Sequence, residues 1–135
     1  MIKLIIGNKG SGKTKTLIDL VNGALTTSNG CVVCIEKGDK LKYDVKYQAR
    51  LIDTEEYKIC DGQSLFGFIA GILASNHDVT DIFVDSAFKI CNNDKESFDS
   101  FLKQLEILIS THVINCVITA SIAAEDASET VKKFI

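Results

Sequence analysis

The chain has 135 residues, 46% of them hydrophobic, with a formal net charge of −3 and an isoelectric point near 5.3. That is enough apolar material for one globular domain (1–135) with a real core, and too little for a second domain or a large lid. Mild acidity excludes a global electrostatic pull toward nucleic acid or an anionic membrane. No apolar run reaches bilayer-spanning length, and Met1 leads straight into an apolar strand without a signal segment, so a cytoplasmic protein is expected.

The first predicted element is a buried parallel strand over about 2–6, Ile-Lys-Leu-Ile-Ile. It runs into Gly7-Asn8-Lys9-Gly10-Ser11-Gly12-Lys13-Thr14, which satisfies G-x-x-x-x-G-K-[ST] at every fixed position. Leu17, Ile18, Leu20, Val21, Ala24 and Leu25 then recur at helical spacing, predicting a helix over about 13–27. The chemistry needs this layout. Glycines let the backbone turn tightly and bring its N–H groups up to an anion, and the helix points its unpaired N–H groups and partial positive charge at the same place. Residues 7–14 are therefore expected to cradle a phosphate chain, with Lys13 reaching its β- and γ-phosphates and the Thr14 hydroxyl binding Mg²⁺.

A turn at Thr26-Thr27-Ser28-Asn29-Gly30 leads to a second strand over about 31–36, ending at Glu36. Cys31 and Cys34 lie three apart on this strand, so they face opposite sides and are ill placed to share a zinc ion. They read as buried structural thiols, and an odd total of five scattered cysteines suits a reducing compartment.

Residues 40–51 alternate: Leu41, Tyr43, Val45, Tyr47, Ala49 and Leu51 against Lys40, Lys42, Asp44, Lys46, Gln48 and Arg50. Strict alternation predicts extended β structure, bent or folded as a hairpin, with one wet face. Leu41, Val45, Ala49 and Ile52 also make a helical stripe. The lysines beside Tyr43 and Tyr47 hint at nucleic acid or a protein edge. Asp39, Asp44 and Asp53 dilute the charge, and the tyrosines belong to the face expected to pack. Nucleic acid is thus not expected, while an exposed edge at 40–51 offers a route to a homo-oligomer or protein partner. Arg50 is the chain's one arginine, so it alone could act as an arginine finger, and then in trans.

Tyr57–Cys60 reads as a short strand. Residues 63–75 read as a mostly buried helix in which Gly67 and Gly71 allow close packing on the sheet. Ile82-Phe83-Val84-Asp85 is a further strand, and Asn92 or Asn93 caps an amphipathic helix carrying Phe98, Phe101, Leu102, Leu105, Leu108 and Ile109. Residues 115–119 form a last strand, and a helix over about 124–134 turns Ala127, Val131 and Phe134 inward. Strands alternating with helices predict an α/β fold: a three-layer αβα sandwich around a mainly parallel sheet, with ligand beyond the strands' carboxyl ends.

Asp85 ends its strand where a P-loop site needs a carboxylate for Mg²⁺. The residue after it is Ser86, so a water-activating glutamate at that position is missing. Glu36, ending the second strand, is the candidate for that catalytic task alongside Lys13. Thr119 and Ser121, after the last strand, are candidates to sense a γ-phosphate, although Ser121 serves equally as a helix cap. His77 and His112 read as surface or capping residues.

The P-loop, Asp85 and the alternating architecture resemble the P-loop NTPase superfamily over nearly the whole chain. Glu36 tilts the resemblance toward RecA-like ATPases, which place a glutamate after the second strand. The chain is also similar to short bacterial ATP-binding proteins labelled as PilT-type twitching-motility ATPases. What carries over is nucleotide binding rather than pilus retraction, whose motors are far longer. The opening resembles thymidine kinases at Gly7, Ser11, Gly12, Lys13 and Thr14, but those have Asp-Glu where this chain has Asp85-Ser86, and a zinc-held C-terminal lobe. Asn93-Asp94-Lys95-Glu96 and Asp85-Ser86-Ala87-Phe88 do not match the guanine and magnesium motifs of small GTPases, which favours ATP over GTP. The expectation is Mg·ATP binding with slow hydrolysis. The alternatives are a non-catalytic ATP-dependent switch and a small thymidine-kinase-like phosphotransferase.

Overall fold

Val32, Val33, Cys34 and Ile35 are all buried although successive strand residues face opposite ways, so their strand is covered on both faces. A computed structural model describes residues 1–135 and shows the sheet they belong to. Its strands are β1 (Ile2–Ile6), β2 (Cys31–Glu36), β3 (Arg50–Asp53), β4 (Val79–Val84) and β5 (Asn115–Ala120). They lie in the order β1-β5-β4-β2-β3, every neighbouring pair parallel. The helices are α1 (Lys13–Thr27), α2 (Gly62–Ser75), α3 (Ala87–Ile90), α4 (Lys95–Ser110) and α5 (Glu129–Phe134). The expected three-layer α/β sandwich is therefore present, and its sheet is wholly parallel.

Two apolar clusters fill the layers. The larger lies on the face of Val33, Ile35, Ile82 and Val84, where α2, α4 and α5 supply Leu65, Ile69, Phe101, Leu105 and Phe134. The smaller lies on the face of Val32, Cys34 and Phe83, under Leu17 and Val21 of α1. Cys31 packs against the larger cluster and Cys34 sits in the smaller, on opposite faces as the strand spacing requires. Cys91 and Cys116 are buried with the larger cluster, and Cys60 is exposed. No helix is long and apolar enough to cross a membrane.

Several expectations are corrected. Residues 40–49 are not extended: they form successive turns, closed by Val45 N–H to Leu41 O (2.9 Å) and Ala49 N–H to Lys46 O (3.0 Å), and β3 begins only at Arg50. Packing decides this, because Leu41, Val45 and Ala49 all drop into the α1 cluster while Tyr43 and Tyr47 stand in solvent. Tyr57–Cys60 is a turn rather than a strand, with Lys58 at φ 60°. Gly67 and Gly71 are exposed with open space around them, so they mediate no close packing on the sheet. Asn92 and Asn93 adopt left-handed conformations after α3, and the cap of α4 is Asp94, which accepts from Glu96 and Ser97 N–H. The last helix is split: a 3₁₀ turn at Ala124–Asp126 precedes α5, whose cap is Ser128 rather than Ser121.

Candidate functional site

Ile35 pairs with Val84, and Val84 with Ile118. The next residue on each strand is Glu36, Asp85 and Thr119, so these three stand level on neighbouring strands, roughly 4.8 Å per step. Alternation places them on the same face as Val32, Cys34, Phe83 and Val117, which is the face that α1 covers. The sheet thus brings three residues from distant parts of the sequence to its carboxyl edge, directly under the start of α1.

The loop between β1 and α1 is shaped by its glycines. Gly12 sits at φ 90°, ψ 12°, a left-handed conformation that a side chain disfavours. A Cβ on Gly7 would meet Ser11 Oγ at 2.6 Å, so that turn closes only around glycine. No side chain caps α1 and its first turn carries no acid, so its first N–H groups are free to face an anion. Lys13 Nζ donates to Asn8 O (2.8 Å) and Ser11 Oγ (3.3 Å), lying across the loop it belongs to.

Asp85 is held by three hydroxyls. Thr14 Oγ1 donates to its carboxylate at 3.2 Å, Ser86 Oγ at 3.2 Å and Thr119 Oγ1 at 2.7 Å. Thr119 Oγ1 also accepts from Ser86 N–H at 2.9 Å, so the buried Thr119 hydroxyl is engaged as donor and acceptor. Its position is that of a support for Asp85, not a free sensor. Ser86 takes a left-handed conformation (φ 59°, ψ 42°), which turns the chain from β4 into α3 directly after Asp85. The hydroxyl of Thr14 and the carboxylate of Asp85 make a pair of hard oxygen donors, the kind that fits Mg²⁺ with water completing the shell.

Glu36 is buried beside this group. Its carboxylate accepts from Lys40 N–H (3.0 Å) and Leu41 N–H (3.2 Å), one bond to each oxygen, so it also closes the turn after β2. Burial pushes its pKa up, the two N–H bonds from Leu41 and Lys40 pull it partly back, and the charges of Asp85 and Asp53 raise it further.

These groups line one polar cavity of about 620 Å³, with Lys13, Thr14, Glu36 and Asp85 converging in it. Lys37, Lys40 and Lys89 also line it, cations that the sequence scatters and the fold brings to one cavity. Ser121 is exposed at the rim and also borders a smaller hollow of about 230 Å³ floored by Phe88, Phe98 and Ile122. Arg50 lies outside the cavity: it pairs with Val33 at the amino end of β3, about 10 Å below the level of Glu36. His77 and His112 are exposed, the latter bonded through Nδ1 to Leu108 O near the end of α4.

No protein-family model matches the chain, and no curated protein matches it. Among solved structures, the flagellar accessory protein FlaH from Methanocaldococcus jannaschii is similar, with a TM-score of 0.60 and 15% identity over 98% of this chain. The match covers 65% of that protein, so the chain spans less than two thirds of its length. At this identity the likeness speaks for the fold, and it lends no support to the PilT-type label. Together with the all-parallel sheet, it shows that the chain folds as a three-layer α/β sandwich like that of this neighbour.

Proposed function

We propose that this chain is a minimal RecA-like P-loop ATPase that binds Mg·ATP and hydrolyses it slowly. The observation that carries the reading is the convergence of Lys13, Thr14, Asp85 and Glu36 in one cavity beside the uncapped start of α1. In this reading the N–H groups of residues 7–14 take the phosphate chain, and Lys13 leaves Asn8 O and Ser11 Oγ to meet the β- and γ-phosphates. Thr14 and Asp85 would hold Mg²⁺, which would supply charge neutralisation for the phosphate chain. Glu36 accepts the proton of the attacking water. Its place one strand from Asp85 and level with it supports the RecA-like assignment, in which the glutamate follows the second strand. The absence of guanine-recognition motifs supports ATP over GTP.

The test is phosphate release from Mg·ATP by the purified protein, with Lys13→Ala as blank. Steady turnover above the blank is expected, and turnover equal to the blank sinks the hydrolase reading.

One observation favours a second reading. Both oxygens of Glu36 already hold the backbone of Lys40 and Leu41, so its main task can be to tie segment 40–51 to the cavity. The protein is then a switch that presents this segment to a protein partner or a second copy when ATP is bound. Light scattering separates the two: a change of mass with Mg·ATP supports the switch, and a nucleotide-independent monomer counts against assembly.

A further inference from the structure

Leu41-Lys42-Tyr43 and Val45-Lys46-Tyr47 are one unit written twice: an apolar residue, a lysine and a tyrosine, repeated after four residues. The fold treats both copies alike. Leu41 and Val45 are 3% and 6% exposed, whereas Tyr43 and Tyr47 are 87% and 91% exposed. The backbone between the two tyrosines is tied to α1. Asn22 of α1 donates to Asp44 O (2.9 Å) and accepts from Lys46 N–H (3.0 Å), clamping the link between the units. Lys42 Nζ sits 5.2 Å from the centre of the Tyr43 ring, with Asp39 at 3.6 Å as its only ion-pair partner. Lys42 and Lys46 each directly precede one of the two exposed rings, with Asp39 and Asp44 in the same segment.

We propose that this surface binds single-stranded nucleic acid. A single strand offers a phosphate and an open base face at every nucleotide, the two groups that a lysine and an exposed ring take up together. A duplex stacks its base faces away. An acidic peptide engages the lysines and leaves both rings idle. The net charge of −3 does not decide against it, because at physiological ionic strength a field reaches only about 8 Å and the ligand meets the local patch. The expectation against nucleic acid rests on diluting aspartates and on packed tyrosines; the aspartates remain, but the tyrosines are exposed.

The experiment is fluorescence anisotropy of a labelled oligodeoxythymidylate titrated with the full chain. Saturable, salt-weakened binding is expected. The double variant Tyr43→Ala/Tyr47→Ala loses about tenfold or more in affinity. Lys42→Gln/Lys46→Gln flattens the slope of log affinity against log salt by about 1.4, because two phosphates are no longer neutralised. Absence of saturable binding overturns the proposal. So does an affinity unchanged in the tyrosine variant, above all if polyglutamate competes equally well, since the surface then reads charge alone and suits an acidic protein. Both tyrosines lie outside the nucleotide cavity. An unchanged thermal midpoint of the tyrosine variant shows it folded, and unchanged oligonucleotide affinity in Lys37→Gln/Lys40→Gln/Lys89→Gln assigns the binding to this surface rather than to the cavity's own cations. Failure here therefore leaves the ATP reading standing, and failure of that reading leaves this one testable.

Discussion

In the proposed ATPase, Lys13 and Glu36 make opposite demands on one cavity: the first holds phosphate through its positive charge, the second must lose its proton to accept another. Lys13→Ala removes a charge-assisted contact and is expected to lower triphosphate affinity by about 10- to 100-fold, measured by calorimetry. Glu36→Gln is expected to leave affinity intact and cut turnover about 100-fold if Glu36 is the base; equal turnover removes it from the chemistry. If Glu36 is the base, its raised pKa should shift the acid limb of the rate profile upward from that of an ordinary carboxylate, and that limb should vanish in the Gln variant. Its sign for stability is fixed too. The folded state holds this proton more tightly than the unfolded chain, so the contribution is complete below the ordinary carboxylate pKa and is lost as pH rises through the raised one. As pH rises from the ordinary carboxylate pKa through the raised one, the wild type should lose more stability than Glu36→Gln in paired urea titrations. Thr14, Asp85 and Glu36 are legible in the sequence because a motif and two strand ends mark them. The support that Thr119 gives Asp85 is not, because that bond crosses strands and depends on a register that no local pattern encodes.

At the scale of elements, α1, α2 and α4 are readable as apolar stripes, and their packing makes sharp demands. Asp61 and Ser64 form a reciprocal cap on α2, and the Ser64 hydroxyl and N–H hold the Asp61 pKa down. Gly62, the first residue of α2, lies against α4: a Cβ there would meet Ser97 O at 2.5 Å and Phe101 Cβ at 3.2 Å. Alanine gains up to about 1 kcal/mol in helix propensity, but overpacking costs about 1–3 kcal/mol and a backbone oxygen cannot swing away. Gly62→Ala is therefore expected to lower unfolding free energy in urea, whereas Gly67→Ala, in open space, should be neutral or stabilising. Segment 40–49 misleads a pattern reading for a definite reason. Positions four apart satisfy both a period of two and a one-turn repeat, so Leu41, Val45 and Ala49 fit either. Only Tyr43 and Tyr47 distinguish them, and tyrosine is at home on either side of a surface.

For the whole molecule, alternation of strands and helices announces a parallel sheet, but not that β5, last in sequence, lies between β1 and β4. That insertion is what brings Thr119 against Asp85, and strand order is a property of all the crossovers together. The same layering disposes of the cysteines unevenly. Burial pushes the thiols of Cys34, Cys91 and Cys116 up to about 12, while Cys60 is exposed. Thiolate is the reactive form, so a disulfide reagent should label Cys60 at once and the three buried thiols only when the structure opens. Cys34 lies beneath α1, and Cys91 and Cys116 lie on the far face. Each side of the sheet thus carries its own clock: the Cys34 labelling rate times the lifting of α1, the other two time the parting of the opposite layer, and a ligand that pins α1 should slow the first clock most.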